Sequence, residues 1–318
     1  MGDSSLPVLA LDIGGTKLAA AVVTADGRPH GLRVVPTRRE QGPEAVLTRL
    51  WSLGHDVLRS TGIRVAGTGI ACGGPLDPIL GVVSSPPHLP GWRDVPLTRL
   101  AGEQFDVPAA LENDATAATL AEHRFGAGRG AATMVYLTVS TGVGGGVVVD
   151  GRLHRGSALN GGELGHLVVR RGGRRCRCGR AGCVEAYAAG SSLADRAAQE
   201  VSAGARSVLT RSATAEDVAA AARDGDPLAG RLWRDAVDAL GSAVTDLVNA
   251  LEPELVVLGG GVVRSGEQLL GPVRETVMQE AMPPAAAAVR VERAHLGDVV
   301  SLVGAGAVAH DVLAGARV

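Results

Sequence analysis

Two stretches of this chain follow one pattern. Val8–Val23 (VLALDIGGTKLAAAVV) and Thr133–Asp150 (TMVYLTVSTGVGGGVVVD) each run apolar, then glycine-rich, then apolar again. That is the pattern of a strand, a tight turn and a returning strand. The two begin about 125 residues apart. Their repetition predicts two related domains facing each other, each opened by a β-hairpin, with a nucleotide between them. Glycines at such turns let a phosphate approach backbone N–H groups. In the first turn these are Gly14 and Gly15, with the Thr16 hydroxyl and the Lys17 charge beside them and Asp12 at the end of the first strand. In the second they lie within Ser140-Thr141-Gly142-Val143-Gly144-Gly145-Gly146. Neither is a P-loop, which needs GxxxxGK[ST] before a helix, and neither is a dinucleotide fingerprint. An ordinary hairpin turn is the competing reading of each.

Between and after the hairpins the periodicity alternates. Asp26-Gly27 marks a further turn, so an antiparallel meander opens the chain. Pro43–Ser60 has helical apolar spacing. Arg64–Ala71 reads as a buried strand followed by Gly73-Gly74, where a ligand could lie against bare backbone. Ser84–Trp92 (SSPPHLPGW) is too proline-rich for a helix. Val107–Glu112 is a strand running into Asn113-Asp114 and a helical stretch, Ala115–Phe125. Ligands of open α/β sheets sit at such strand ends; Asp114 as a plain helix N-cap is the alternative. Later come helices over Ala186–Ala203, Ala215–Arg223, Pro227–Leu251 and Leu269–Met278. A strand over Leu255–Gly261 ends in Gly259-Gly260-Gly261, a place for a base or ribose. Val289–Leu296 is an alternating strand and Leu302–Leu313 a C-terminal helix packing on the first domain.

Three of the four cysteines fall in one short run, Cys176-x-Cys178-x4-Cys183, with His166 upstream. Three thiolates and an imidazole are the soft donors a tetrahedral Zn²⁺ takes, and four protein ligands close its coordination sphere. Such an ion shapes a loop and does not activate a water. Free cysteines are the alternative. Glu163 and Glu185 flank the ligands, well placed as acceptors for a polyol.

Composition narrows the partners. Aromatic residues make up 2 % of the chain and net charge is −2. There is neither a stacking surface nor a basic field for nucleic acid, nor a field for anionic membrane. No apolar stretch approaches the ~20 residues of a membrane span. The first residues, MGDSSLPVLALDIGG, lack a signal-peptide pattern. The expected setting is cytoplasmic and reducing.

Five motifs in order, DIGGTK at 12–17, END at 112–114, STGVGGG at 140–146, GGELGH at 161–166 and CxCGxxGCxE at 176–185, resemble the ROK sugar kinases. That family includes bacterial glucokinases, fructokinases and N-acetylhexosamine kinases. The resemblance runs from about Val8 to the end of the chain. It implies an actin-like ATPase (ribonuclease H-like) fold of two α/β domains with an interdomain cleft. The expected small domain is 1–115, completed by 304–318, and the large domain 116–303. Asp114 would be the catalytic base. Gly74, Asn113, Glu163, His166 and Glu185 would face the sugar. Gly14, Gly15, Thr16 and Thr141–Gly144 would cradle the phosphates of ATP, Gly259–Gly261 would line the adenosine site, and Asp12 would lie near Mg²⁺. His166, Cys176, Cys178 and Cys183 would hold structural Zn²⁺.

The implied activity is ATP-dependent phosphorylation of a hexose, glucose at its 6-hydroxyl first, with N-acetylmannosamine or N-acetylglucosamine as the alternative. A homo-oligomer, dimer or tetramer, is implied as well. Sugar-responsive repressors of the family carry a helix-turn-helix ahead of the first hairpin, and seven residues precede Val8 here. Three positions depart from the family pattern. His88 stands where Asn is common beside the sugar, Ser140 where Gly is frequent, and Cys72 where Pro is frequent.

Overall fold

The computed structural model describes residues 6–315. The chain divides into two compact units. Unit 1 holds the chain up to Arg129, the segment Arg155–Gly161 and the chain from Leu296 onward; unit 2 holds Gly130–His154 and Gly162–His295.

Unit 1 opens with β1 (Val8–Ile13), β2 (Lys17–Val23) and β3 (Pro29–Pro36), then helix α1 (Pro43–Thr61) and β4 (Thr68–Cys72). Two short strands, β5 (Leu76–Asp77) and β6 (Val82–Val83), pair with each other before α2 (Leu97–Phe105). β7 (Ala109–Asn113) then runs straight into α3 (Asp114–Phe125). The sheet order is β3-β2-β1-β4-β7. β1, β2 and β3 are antiparallel neighbours, while β4 and β7 extend the sheet in parallel.

Unit 2 repeats this plan. Its strands are β8 (Met134–Val139), β9 (Val143–Val149), β10 (Arg152–His154), β11 (Leu255–Gly259) and β12 (Arg290–Arg293), in the order β10-β9-β8-β11-β12. Again the first three are antiparallel and the last two parallel. Helices α4 (Glu185–Ala188), α5 (Gly190–Ser202), α6 (Ala215–Arg223), α7 (Pro227–Leu251), α8 (Glu267–Glu280) and α9 (Pro283–Ala288) complete it. Finally α10 (Val300–Leu313) returns to unit 1. The same five-stranded order built twice, each time from a glycine-turned hairpin, is the actin-like ATPase arrangement.

Small residues explain how α3 is held. A Cβ on Gly304 of α10 would lie 2.1 Å from the Ala117 carbonyl oxygen of α3. A Cβ on Gly69 of β4 would lie 1.9 Å from the Ala305 carbonyl oxygen of α10. Backbones this close exclude any side chain. The Ala- and Gly-rich tail is therefore a packing surface, and α3 is buried along Ala115–Glu122. This packing also explains why the units divide elsewhere than after 115 and before 304. α3 and the chain from Leu296 lie in unit 1, as does Arg155–Gly161. Glu122, fully buried, accepts the N–H groups of Ala127 and Leu296, close to where the chain leaves and re-enters unit 1.

Other differences are local. The helix expected over Ala186–Ala203 breaks at Ala189, which is extended, because the Gly190 N–H donates to the Ser140 carbonyl at 2.7 Å instead of continuing the turn. The strand expected over Arg64–Ala71 begins only at Thr68, that over Leu255–Gly261 stops at Gly259, and that over Val289–Leu296 covers Arg290–Arg293. Helices α2 and α9 were not marked by periodicity. The readings of residues 1–5 and 316–318 lie outside the described residues. Among the described residues no helix is long and apolar enough to cross a membrane.

Candidate active site

The candidate residues form two groups, one in each unit. In unit 1, β1 carries Asp12, and the β1–β2 turn carries Gly14 to Lys17. A Cβ on Gly14 would lie 2.9 Å from the Lys17 carbonyl oxygen, so the tight turn requires glycine. Thr37, absent from the sequence reading, locks that turn. Its hydroxyl donates to the Gly14 carbonyl at 2.7 Å and its N–H to the Thr16 carbonyl at 3.0 Å, while the Thr37 carbonyl accepts Arg49 Nη1 at 2.7 Å. Thr16 and Lys17 are left exposed.

Two strands over, β7 ends on Asn113, still paired with Cys72, and α3 starts on Asp114. Asn113, not Asp114, is the N-cap. Its Oδ1 accepts the N–H groups of Ala115 and Thr116 at 3.0 and 3.1 Å, worth about 1 kcal/mol to the helix. That removes capping as an explanation for Asp114. Asp114 accepts one N–H, from Ala115, at 2.9 Å on Oδ1. Burial raises its carboxyl above the ordinary range, against the pull of the Ala115 N–H and of His88. Asp12 is pushed up to about 7, chiefly by burial and then by the charge of Asp114, with Lys17 opposing. Two half-buried carboxylates that repel each other form a site with affinity for a proton or a cation.

Gly73, Gly74 and His88 border this pair. A Cβ on Gly73 would sit 2.4 Å from His88 Cε1, so the imidazole lies directly on that backbone. The Gly74 Cβ position is 3.6 Å from Asn113 Nδ2. His88 also reaches the first turn: its Cβ is 3.2 Å from where Gly15 would carry one, and its carbonyl accepts Arg39 Nη1 at 3.2 Å. Burial lowers the His88 pKa and Arg39 adds to this, against the pull of Asp114. Cys72, fully buried beneath, fills space at the end of β4.

In unit 2 the four soft donors converge. His166, Cys176, Cys178 and Cys183 present ligand atoms all within 4.8 Å of one another. Cys178 and Cys183 Sγ are 3.7 Å apart, and Cys176 Sγ is 3.8 Å from His166 Nδ1. A tetrahedron with Zn–S bonds of about 2.3 Å has edges of about 3.8 Å, so the residues fit the ion. A disulfide would need about 2.05 Å. The knuckle is folded by backbone bonds, Cys176 N–H to the Arg180 carbonyl at 2.8 Å and Gly182 N–H to the Arg174 carbonyl at 2.8 Å. A Cβ on Gly182 would lie 1.8 Å from the Arg170 carbonyl oxygen. Asp235 on α7 pairs with Arg170 and with buried Arg196, and both guanidinium groups lie over the Tyr187 ring. This network ties the knuckle to α4 and α7. His166 turns its other nitrogen outward, with Nε2 3.8 Å from Glu163 Oε2.

Glu185 joins the knuckle to the second turn. Its Oε2 accepts the Val143 N–H at 3.0 Å, and its Oε1 accepts the Cys176 thiol at 3.5 Å. The Val143 amide is therefore engaged within the protein, while Thr141 is exposed and Gly142 and Gly144 are half-buried. Ser191 holds the turn by donating from its hydroxyl to the Thr141 carbonyl at 2.7 Å. After β11, Gly259 is buried against the Tyr136 hydroxyl, whereas Gly260 and Gly261 are exposed. The Gly261 Cβ position has Ser140 Oγ at 4.0 Å. Gly259 is thus a packing glycine; Gly260, though exposed, has its Cβ position 2.4 Å from the Val139 carbonyl oxygen, and the open face is at Gly261.

The raised carboxyl of Asp12 has a measurable cost. Its folded pKa of about 7 exceeds the unfolded value, so the native state holds a proton that the unfolded chain has lost. This contribution to stability is complete below about pH 4 and is lost as pH rises towards 7. Asp12→Asn is expected to be more stable than the parent protein by on the order of 2 kcal/mol at pH 8, allowing for partial exposure. The advantage should shrink steadily towards pH 4. Urea unfolding at pH 4, 6 and 8 measures it; an advantage independent of pH contradicts the burial argument.

Comparison with known proteins agrees with this geometry. Residues 8–312 match the ROK family. A glucokinase of Thermotoga maritima is 35 % identical, covering 98 % of this chain and 99 % of that one. An N-acetylmannosamine kinase of Escherichia coli is 37 % identical, covering 94 % and 97 %. The crystal structure of a ROK family glucokinase from Streptomyces griseus in complex with glucose and AMPPNP superposes with a TM-score of 0.81 at 31 % identity, covering 96 % and 99 %. With its duplicated sheets, its two glycine turns and its cysteine knuckle, this chain belongs to the ROK family.

Proposed function

We propose that the protein is an ATP-dependent sugar kinase whose substrate is glucose, phosphorylated at the 6-hydroxyl. The observation that carries this is Asp114. It sits at a strand end, relieved of capping by Asn113, with its carboxyl raised above the ordinary range and one oxygen held by a single N–H. A sugar hydroxyl is a poor nucleophile, and a base of raised pKa takes its proton as the phosphoryl group arrives. Glucokinase relatives over nearly the whole chain support the substrate.

The remaining residues position the reactants. Asn113 through Nδ2, the Gly74 backbone, Glu163, His166 through Nε2, and Glu185 hold sugar hydroxyls, and His88 borders the same place. Glu185 does so while also bound to Val143, so sugar and phosphate turn share a carboxylate. The first turn, Gly14 to Lys17, and the second, Thr141, Gly142 and Gly144, hold the phosphates, with Gly260 and Gly261 against the adenosine. Asp12 would be the side chain that faces Mg²⁺, since a cation would relieve the repulsion between its carboxylate and that of Asp114. Mg²⁺ bound with ATP would supply positive charge at the phosphates. His166, Cys176, Cys178 and Cys183 hold Zn²⁺, which supplies rigidity to the loop bearing Glu163 and Glu185. Cysteines that would hold zinc rather than pair as disulfides fit a cytoplasmic setting, and a homo-oligomer is part of the same reading.

An N-acetylmannosamine kinase is the second reading, favoured by the 37 % relative. Coupled assays with glucose, mannose, fructose, N-acetylmannosamine and N-acetylglucosamine separate the two. The expected result is the highest kcat/KM on glucose, by about tenfold or more over either N-acetyl sugar. Turnover of the N-acetyl sugars alone would replace the first reading with the second.

A further inference from the structure

Glu112 has no role in the reading above, although it stands beside the residues that do. It is 1 % exposed. Its Oε1 accepts the Asn113 N–H at 3.0 Å, and its Oε2 accepts Arg155 Nε at 2.8 Å. The Arg155 side chain is itself 17 % exposed. Arg155 opens the short segment Arg155–Gly161, which belongs to unit 1 although the chain on either side belongs to unit 2. That segment closes on itself through the Gly161 N–H and the Arg155 carbonyl at 2.7 Å. Gly162 and Glu163 follow directly.

A buried carboxylate is tolerated only when paired and hydrogen-bonded, and this one is both. Stability alone does not call for such a pair, because packed apolar side chains of the same volume serve as well or better. Its geometry gives it another use. One carboxylate fixes the backbone N–H of Asn113, whose side chain caps α3 and so sets where Asp114 begins. The same carboxylate anchors the segment that leads into Glu163. Two stretches that deliver sugar-holding groups, far apart in sequence, are tied to one buried charge.

We propose that the Glu112–Arg155 pair is a positioning device for the hexose, setting Asn113 and Asp114 at the end of β7 and anchoring Arg155–Gly161 ahead of Glu163. Neither residue touches the substrate. The inference rests on the sugar-kinase reading above. Nucleotide-holding groups lie on other turns, so losing the pair affects sugar and spares ATP.

Steady-state kinetics on the full-length protein, varying glucose and ATP separately, test this. Arg155→Met is expected to raise the glucose KM by about tenfold or more and to lower kcat, since small displacements of positioning groups are costly. The KM for ATP should stay within about twofold. Arg155→Lys restores a charge and a donor, and should recover most of the glucose KM. Because Arg155→Met strands a buried charge, the double variant Glu112→Gln, Arg155→Met is measured beside it. That variant keeps an acceptor for Asn113 without an orphaned ion, and should fold with the glucose KM still raised. Folded variants with an unchanged glucose KM, or with both KM values raised equally, overturn the inference while leaving the sugar-kinase reading intact. A wild-type protein that phosphorylates no hexose removes that reading, and this inference with it.

Discussion

Asp114→Asn is expected to lower kcat by about 10²–10⁴-fold, the range supplied by a positioned general base. The substitution keeps size and shape. The amide oxygen still accepts the Ala115 N–H that Oδ1 accepts now. The Asn113 cap and the α3–α10 packing do not involve Asp114, so the fold persists. What is lost is the one group at the start of α3 able to take a proton. Asp12 does not replace it, since it lies on β1 and is the side chain proposed to face Mg²⁺. Rate measurement at saturating glucose and ATP gives the number; a kcat within a few-fold of the parent rules out Asp114 as the base.

The second large effect is expected from Cys178→Ser. Cys178 is the exposed member of the cluster, and its sulfur lies 3.7 Å from that of Cys183. A serine hydroxyl is a poor ligand for zinc, so bound metal should fall from one equivalent to a small fraction by elemental analysis. The glucose KM should rise by about 10–100-fold in the same protein, the usual cost of loosening groups around a metal. The link is structural. Cys176 contacts Glu185, and His166 turns Nε2 towards Glu163, so the knuckle aims both carboxylates. Far-UV circular dichroism should be nearly unchanged, because the knuckle holds few residues of regular structure. Zinc retained at one equivalent contradicts the ligand set; zinc lost with an unchanged glucose KM contradicts the link.

Much of this was legible in the sequence, for a physical reason. Hairpins with glycine turns and a knuckle of closely spaced cysteines are set by local chemistry, and both are found where the residues placed them. The duplicated sheet followed from two such hairpins. Groups that depend on distant partners were not legible. Thr37 lies 23 residues from the Gly14 carbonyl it binds, and Glu112 lies 43 from Arg155, with no periodicity to connect them. Asn113 and Asp114 are equally good caps by residue type. The register of β7 against β4, which keeps Asn113 in the strand, chose between them. The compact unit 1 runs on to Arg129 because α3 packs on α10 through the Gly304–Ala117 contact, which no local pattern in the sequence announces.

Binding and turnover measured together on Asp114→Asn test the assignment of the base most directly. Calorimetric titration should give a glucose Kd within about threefold of the parent protein, since Asn113, Glu163, His166 and Glu185 are untouched, while glucose phosphorylation falls by about 10² or more. Glucose binding lost together with turnover, or turnover retained, contradicts the role of Asp114 as the proton acceptor.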